Sequence, residues 1–330
     1  MKRFLKKKLI IYLVTIVFAV TLNWLIPRLM PGDPISILLS RLGGPGTDQA
    51  QIESFFRRSF QLDRPWYEQY LNYWKSLLTG DLGVSIYLYP KPVAAVIGDA
   101  IPYDLLLMFP AILGSWFIGN RVGALAAHSR KTDSRVMPLL YALSAAPYFW
   151  LAVLLAWFFG ILLGITPVQG ASSIFILPSL TPAYILDFLH HWLLPFLSLF
   201  IVMAGQWAVG MRNLVLYERG SDYSRYLKSL GASSKLIRRY TYRNALLPQV
   251  SGLSIRLGQF LAGVVATEIV FSYPGLGYLL YRAILNQDYF LIQGCFLFIV
   301  LFMVTANLVV DLIYMLLDPR VRMSLTGEEA

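Results

Sequence analysis

Apolar residues in this chain of 330 are grouped in long blocks instead of being spread in stripes along amphipathic elements. Each block is about 20 residues long, the length that an α-helix needs to cross a hydrocarbon core about 30 Å thick. The pattern therefore predicts an all-α integral membrane protein with six transmembrane helices. The approximate spans are Leu9–Leu29, Ile101–Ala127, Val136–Gly164, His191–Leu216, Gln249–Phe271 and Phe290–Leu317.

Composition agrees with a membrane protein. Hydrophobic residues make up 57% of the sequence and charged residues 14%, against about 25% charged residues in an average soluble domain. The net charge of +10 is typical of nucleic-acid binding, but the positive residues lie at the ends of apolar blocks. We therefore expect contact with membrane lipid and no nucleic-acid partner. The single cysteine, Cys295, excludes an internal disulfide and a cysteine-based metal cluster.

The distribution of Lys and Arg indicates the orientation of the spans, because short cytoplasmic loops are enriched in these residues. Most of the 28 basic residues precede the first span or follow the second, fourth and last spans. The loop between the third and fourth spans, Ile165–His190, contains none. We therefore expect both termini to lie in the cytoplasm. A cleaved signal peptide is the alternative for the first span, but its apolar block exceeds the usual 7–15 residues and no Ala-x-Ala site follows.

This topology divides the chain into four parts. A cytoplasmic N-terminus and the first helix occupy 1–29, and an extracytoplasmic insertion occupies 30–100. A five-helix core at 101–317 includes a cytoplasmic loop at 218–248, and a cytoplasmic tail occupies 318–330. The insertion is too long for a simple connector.

Two helices are predicted inside the insertion, at Asp48–Phe60 and Pro65–Leu78. Proline is favoured in the first helical turn, and Gly80 is placed to end the second helix. These helices are expected to form a small helical cap on the membrane surface. Their aromatic residues are equally typical of a belt at the bilayer interface.

The sequence shows no catalytic constellation. His190 and His191 are adjacent, so they point about 100° apart on a helix and do not form an i, i+4 metal pair. No HExxH, GxSxG or phosphate-binding GxxxxGK[ST] pattern is present. We expect no catalytic residue, no metal site and no cofactor bound by this chain.

Ionisable residues inside spans are costly and often functional. Arg256 and Glu268 lie 12 residues apart on the fifth span, about 18 Å along a helix, and are too distant to pair. Arg256 is expected to face a translocation pathway or a neighbouring subunit, or to brace two helices. Glu268 is expected to brace the turn at Ser272–Gly277. The fifth span also contains Gly252, Gly258 and Gly263. These glycines are expected to permit close helix contact or, alternatively, to keep a pore wall smooth.

The basic loop Asp222–Pro248 is far longer than a chain reversal needs. Asp222 is a candidate N-cap for a short helix that ends at Gly231, because glycine readily takes the left-handed conformation. A second helix is expected to begin at Ser233 or Ser234 and to continue into the fifth span. The short helix is expected to place Tyr223, Tyr226 and Leu227 in a partner's groove. The alternative is an interfacial helix held by anionic lipid.

The loop resembles the cytoplasmic signature of inner-membrane permeases of binding-protein-dependent ABC importers, in the dipeptide, oligopeptide and nickel branch. Four further stretches match that branch in the same order and spacing. They are PGDP at Pro31–Pro34, LLTGDLGVS at Leu77–Ser85, EIVFSYPGLG at Glu268–Gly277 and DLIYMLLDPRVR at Asp311–Arg322. Departures from the family pattern lie in the loop, where Arg225, Tyr226 and Leu227 replace a glutamate and paired alanines and Tyr240 replaces a common histidine.

The resemblance implies a type I ABC importer permease fold with a scoop-like insertion. It implies a heterodimer with a second permease, two cytosolic ATPase subunits that hold ATP and Mg, and an extracytoplasmic solute-binding protein. Oligopeptides are the expected substrate, with oligosaccharides or nickel as alternatives. The residues implied in ATPase coupling are Asp222, Tyr223, Arg225, Tyr226, Leu227, Gly231 and Ala232. The residues assigned to the translocation pathway are Arg256, Gly258, Gly263 and Glu268.

Two other classes remain as rivals at this point. One is a secondary carrier driven by an ion gradient, which normally has acidic residues near the bilayer midplane. The sequence shows no such cluster. The other is a structural membrane scaffold that transports nothing.

Overall fold

A computed structural model describes residues 2–42 and 49–317, with side chains described at 10–39, 49–253 and 256–310. These residues form helices and no β-strand, apart from one isolated bridge between Val84 and Pro92. The helices are α1 (Lys2–Leu29), α2 (Pro34–Leu42), α3 (Gln49–Ser59), α4 (Trp66–Thr79), α5 (Val93–His128), α6 (Arg130–Ala145), α7 (Tyr148–Leu155), a π-helical segment (Ala156–Leu162), α8 (Pro182–Gly220), α9 (Asp222–Ser229), α10 (Ser234–Phe271), α11 (Leu276–Leu285) and α12 (Tyr289–Leu317). The predicted all-α class is confirmed.

Within the described residues, four helical stretches are long and apolar enough to cross a membrane. They are Ile10–Leu29, Val93–His128, Pro182–Gly220 and Tyr289–Val310. Two bent helix pairs, one formed by α6 and α7 with the π-helical segment and one formed by the two parts of α10, bring the number to six if each pair is one span. The two parts of α10, Ser234–Leu253 and Arg256–Phe271, meet at an angle of 57°.

The third predicted span, Val136–Gly164, is wrong as a single helix. Arg130–Ala145 and Tyr148–Leu162 meet at an angle of 105°. The break lies at Pro147, which has no N–H to donate and disfavours the helical conformation of the residue before it. Ala146 accordingly takes an extended conformation, with φ −71° and ψ 135°.

The chain divides into two compact units, of which the first comprises 1–102 and Gly275–Val304. The insertion and its neighbouring helix ends therefore group with α11 and most of α12. The insertion helices α3 and α4 match the two predicted ones within a residue or so, and Gly80 ends α4 with φ +74°. Helix α2, which follows the PGDP stretch, was not expected from the sequence pattern. A buried core that joins these elements contains Ile35, Leu38, Phe56, Phe60 and Ile86.

Helix α4 packs on α1 through its aromatic residues. The Tyr70 ring meets Trp24 edge to face at 5.2 Å between centroids, and its hydroxyl lies 2.9 Å from the Thr21 hydroxyl. Asn23 Nδ2 donates to the Tyr73 hydroxyl at 3.0 Å. These contacts support a packed cap, while Trp66 stays 70% exposed, as a residue at a bilayer interface would be.

Asp288 ties the start of α12 to the LLTGDLGVS stretch. Its fully buried carboxylate accepts hydrogen bonds from the Ser85 hydroxyl at 2.5 Å and the Tyr87 N–H at 2.9 Å. It also accepts from the Leu291 N–H at 3.0 Å, in the manner of a helix N-cap. Burial raises the pKa of Asp288, and the three donors act against that rise. One side chain thus satisfies donors on two segments about 200 residues apart.

The second unit comprises Tyr103–Pro274 together with the chain after Val304. In it, α5 approaches α8 at backbone distance. A Cβ atom at Gly123 would lie 2.2 Å from the Ala208 carbonyl oxygen, and one at Gly119 would lie 2.6 Å from the Ala204 carbonyl oxygen. Glycines four residues apart thus face alanines four residues apart, which is a small-xxx-small helix crossing.

The glycines that the sequence singled out behave differently from one another. Gly263 packs tightly, since a Cβ there would lie 2.5 Å from the Tyr148 ring. Gly252 has no neighbouring atom within 4 Å of that position, and Gly258 is exposed. The crossing at Gly119 and Gly123 was not predicted, because the sequence does not show which helix becomes the neighbour of α5.

We expect Gly123→Val to destabilise the chain, because the new side chain meets backbone that has no room to move. Overpacking of this kind costs about 1–3 kcal/mol. Gly98→Ala on the same helix is the control, since nothing lies within 4 Å of its added carbon. Thermal unfolding of the detergent-solubilised protein measures both. Equal melting temperatures for Gly123→Val and the parent chain would contradict the assigned crossing.

Asp288→Ala is expected to lower the free energy of unfolding by about 3 kcal/mol or more, because three buried or partly buried donors lose their acceptor. Asp99→Ala, at an exposed carboxylate on α5, is the matched control. Thermal unfolding measures the loss of stability, and limited proteolysis within 80–92 measures the loosening of the segment that Asp288 holds. A variant at Asp288 as stable and as protease-resistant as the Asp99 control would show that the tie is unimportant.

Candidate functional site

The short helix α9 lies between the two longest helices, α8 and α10. Its N-cap is Ser221, in extended conformation, and the prediction of Asp222 as N-cap is wrong by one residue. The Ser221 hydroxyl donates to the Glu218 carbonyl at 2.6 Å, so it closes α8 and does not cap α9. Asp222 instead lies in the first turn of α9, where a carboxylate interacts favourably with the helix dipole.

Gly231 forms the elbow after α9, with φ +75°. Its N–H donates to the Lys228 carbonyl at 3.0 Å, and the Ala232 N–H donates to the Leu227 carbonyl at 3.0 Å. This pair of bonds is the Schellman motif, which satisfies the last carbonyls of a helix. No atom lies within 4 Å of a Cβ built on Gly231, so only the backbone angle requires glycine there.

Helix α10 begins directly after the elbow. Ser233 is its N-cap, and the Ser233 hydroxyl accepts from the Leu236 N–H at 3.3 Å. The predicted start at Ser233 or Ser234 and the continuation into the fifth span are confirmed.

The outer surface of α9 is polar and aromatic. Asp222, Arg225 and Tyr226 are exposed, and the Tyr226 side chain is 64% exposed. Arg225 and Asp222 lie 3.7 Å apart as a fully solvated pair, which adds little stability. Leu227 and Ala232 are half-buried at the base of the elbow.

Tyr223 is placed differently from the expectation that it projects toward a partner. It is half-buried, and its hydroxyl donates to the Glu218 carboxylate at 2.7 Å. Burial raises the pKa of Tyr223, and the neighbouring Glu218 adds to that rise. The side chain therefore anchors α9 to the end of α8. The seven predicted coupling residues thus form one continuous elbow, and their role in coupling stays a prediction.

The base under α9 is rigidly packed. A buried core joins the ends of α5, α8 and α10, and its residues are Ala124, Ala127, Met211, Val215 and Ala245. The Arg212 guanidinium donates to both Asp133 oxygens at 2.8 Å, which clamps α8 to α6. Arg219 also donates to the Ala127 carbonyl of α5. Sequence reasoning missed the Arg212–Asp133 pair, because residues 79 positions apart give no local signal.

Arg256 braces α10 against α8. Its Nη1 donates to Gln206 Oε1 at 3.1 Å, and its guanidinium lies 4.6 Å from the centre of the Trp207 ring. Nearby, Gln249 Nε2 donates to the Trp207 carbonyl at 3.3 Å. Of the two expectations for Arg256, these contacts favour the brace between helices.

Glu268 is fully buried near the end of α10. Its carbonyl accepts from the Tyr273 N–H at 2.9 Å, so its backbone holds the turn that follows. That the Glu268 side chain braces this turn stays a prediction. Gly258 is exposed and Gly263 packs on Tyr148, so the four residues assigned to the pathway do not converge on one point. Their part in translocation stays a prediction.

The side chains that the structure describes include no group of three or more His, Cys, Asp or Glu residues able to hold a metal. A ring nitrogen of His190 lies 2.8 Å from the Ile165 carbonyl oxygen, and one of His191 lies 2.9 Å from the Asp187 carbonyl oxygen. Both histidines thus have backbone partners at the start of α8.

Long apolar helices, two bent helix pairs and an exposed short helix between α8 and α10 are the architecture of a multi-pass membrane protein. The family model of the inner membrane component of binding-protein-dependent transport systems matches residues 119–323. The chain therefore belongs to this family, and the resemblance drawn from the motifs is confirmed.

Related permeases match over nearly the whole chain. The chain is 29% identical over 346 residues to the di/tripeptide transport system permease protein DppB of Pseudomonas aeruginosa, covering 98% of this chain and 99% of the relative. It is 30% identical over 325 residues to the glutathione transport system permease protein GsiC of Escherichia coli O6:H1, with the same coverage. It is 29% identical over 304 residues to the oligopeptide transport system permease protein AppB of Bacillus subtilis, covering 91% of this chain and 93% of the relative.

Proposed function

We propose that this chain is the transmembrane permease subunit of an ATP-driven ABC importer for oligopeptides. A second homologous permease completes the translocation pathway, and an extracytoplasmic solute-binding protein delivers the substrate. Two cytosolic ATPase subunits hold ATP and Mg and bind α9. Both termini and the loop at 218–248 then lie in the cytoplasm. The chain itself catalyses no reaction.

The observation that supports this proposal is the geometry of α9. Helix α9 ends in the Schellman closure at Gly231 and exposes Tyr226 and Arg225. Its neighbours α8 and α10 are long, and a buried core joins the parts of them that lie next to α9. We expect a displacement of α9 to reach both helices, because the hydrogen-bonded elbow and the buried core hold the helix ends together.

In the proposed cycle, ATP binding closes the two ATPase subunits and moves the docked α9. The attached helices then shift as rigid bodies and turn the pathway outward to receive substrate. Hydrolysis and product release return the pathway to the inward-facing state. ATP thus supplies the differential binding that shifts the population between two conformations.

The substrate class follows the relatives, whose names specify di/tripeptides, glutathione and oligopeptides. Import of oligosaccharides or nickel by the same machinery is the alternative. Uptake assays with the cognate binding protein and each ligand class distinguish these substrates. ATP-independent transport by the purified chain alone would instead identify an ion-coupled carrier.

Co-purification with the ATPase subunits tests the proposed partner. We expect Tyr226→Ala to weaken ATPase binding by about tenfold or more, since an exposed aromatic anchor is typical of an interface hot spot. Tyr67→Ala is the control, because Tyr67 is 52% exposed in the insertion on the opposite side of the predicted topology. If the ATPase subunits bind the Tyr226 variant and the parent chain equally well, α9 is not the ATPase-binding helix.

Gly231→Val is expected to separate ATP hydrolysis from uptake. A β-branched residue in the left-handed region costs roughly 1–2 kcal/mol, which opens the elbow while α8 and α10 stay intact. Gly220→Val is the matched control, because Gly220 has equal space around it and no positive φ. Proteoliposomes measure hydrolysis and uptake together. Coupled transport by the Gly231 variant at the parental rate would contradict the lever mechanism.

A further inference from the structure

A cavity of about 360 Å³ lies in the first unit, among the insertion and the adjoining ends of α1 and α12. This volume falls within the range of about 300–1,000 Å³ that is typical of small-molecule sites. Aromatic rings on its wall belong to Phe60, Tyr73, Tyr89 and Phe290. The proposed function makes no use of this cavity.

The cavity wall contains a buried donor without an acceptor. Gln293 is 5% exposed, and its Nε2 has no hydrogen-bond partner. Its backbone carbonyl is held by Asn23 Nδ2 at 2.7 Å, so its backbone is fixed in place. A buried amide N–H without an acceptor is costly. Nε2 itself is shielded from water, and a rotation of the Gln293 side chain toward the cavity would let a ligand oxygen remove that cost.

A cation faces the same space. The Arg28 guanidinium stacks on Trp24 at 4.1 Å and donates to Gln69 Oε1 at 3.2 and 3.0 Å and to the Trp24 carbonyl at 2.9 Å. A guanidinium has five N–H donors, so these bonds leave some of them for a ligand. The ion pairs among described side chains do not include Arg28. Its charge therefore has no carboxylate partner in this part of the chain.

Tyr73 supplies another donor. Its hydroxyl oxygen accepts from Asn23 Nδ2 at 3.0 Å, which leaves its own hydrogen to donate. Burial raises the pKa of Tyr73 to about 12, so the hydroxyl keeps its proton at neutral pH. Asp81 on the same wall is exposed, and its carboxylate accepts from the Gly83 N–H at 2.9 Å.

We infer that this cavity is a binding site for the carboxylate end of a short peptide. Arg28 and Tyr73 present N–H and O–H donors to the carboxylate, a group that guanidinium binds strongly. Gln293 Nε2 adds a further donor when its side chain turns toward the cavity. Asp81 is the acidic group on the wall for the ammonium of a zwitterionic peptide. The identification of the ligand as a peptide rests on the proposed function, whereas the preference for a carboxylate rests on the donors.

Equilibrium dialysis tests the site on the assembled importer in lipid nanodiscs, without nucleotide or binding protein. The probes are L-alanyl-L-alanine and its C-terminal amide. We expect the free acid to bind and the amide to bind at least about tenfold more weakly, since a hydrogen bond to a charged group is stronger than one to a neutral group. Equal binding of the two probes would overturn the inference.

Gln293→Leu is expected to weaken binding of the free acid about tenfold and to leave the melting temperature unchanged or higher, because it removes an unpartnered donor. Gln49→Leu, at an exposed glutamine of the insertion, is the control. A lower melting temperature with unchanged peptide binding would show a structural role only and overturn the inference. Loss of binding-protein docking with unchanged dipeptide binding would overturn it too, in favour of a partner side chain as the occupant.

Different experimental results would overturn the inferred peptide site and the proposed permease function. If neither probe binds while ATP-driven uptake through the binding protein is intact, the inference is overturned and the permease function stands. If ATPase subunits do not associate and uptake is absent, the proposed function fails, whatever the cavity binds.

Discussion

The junction between α8 and α10 is the constraint on which the functional interpretation depends. Two helices of nearly 40 residues each are connected through one short helix and two closed caps. Every backbone hydrogen bond named at this junction is local, from Ser221 to Glu218 and from Ala232 to Leu227. Because these bonds do not depend on the surface side chains, the connection keeps its shape whatever contacts α9 makes.

Buried polar groups have two different fates in this chain. Buried Asp288 accepts from three donors, and half-buried Arg212 donates twice to Asp133, so both hold distant segments together. Gln293 Nε2 has no hydrogen-bond partner, and Gln293 and Arg28 both lie on the wall of the cavity. Satisfied groups of the first kind specify the fold, whereas donors left open inside an otherwise packed unit indicate a place for a ligand.

The structural features that depend on local chemistry could be predicted from the sequence. The elbow at Gly231, the start of α10 and the insertion helices follow from caps, periodicity and glycine, which act over a few residues. The break at Pro147 was also visible locally, but the long apolar block concealed it. The crossing at Gly119 and Gly123 and the bond from Ser85 to Asp288 could not be derived, because they depend on which helices become neighbours. Pathway residues were hardest to predict for a further reason, since in the proposed heterodimer a single chain supplies only part of the pathway wall.

The Schellman closure at Gly231 has an evolutionary consequence. Since backbone bonds set the angle of the elbow, the proposed docking of α9 implies that substitutions at Arg225 or Tyr226 change partner preference without disturbing the helices behind it. Members of the family could then diverge in the ATPase subunits that they bind while their transmembrane helices stay the same. By the same reasoning, grafting the exposed α9 residues of one family member onto another should let the recipient bind the ATPase subunits of the donor.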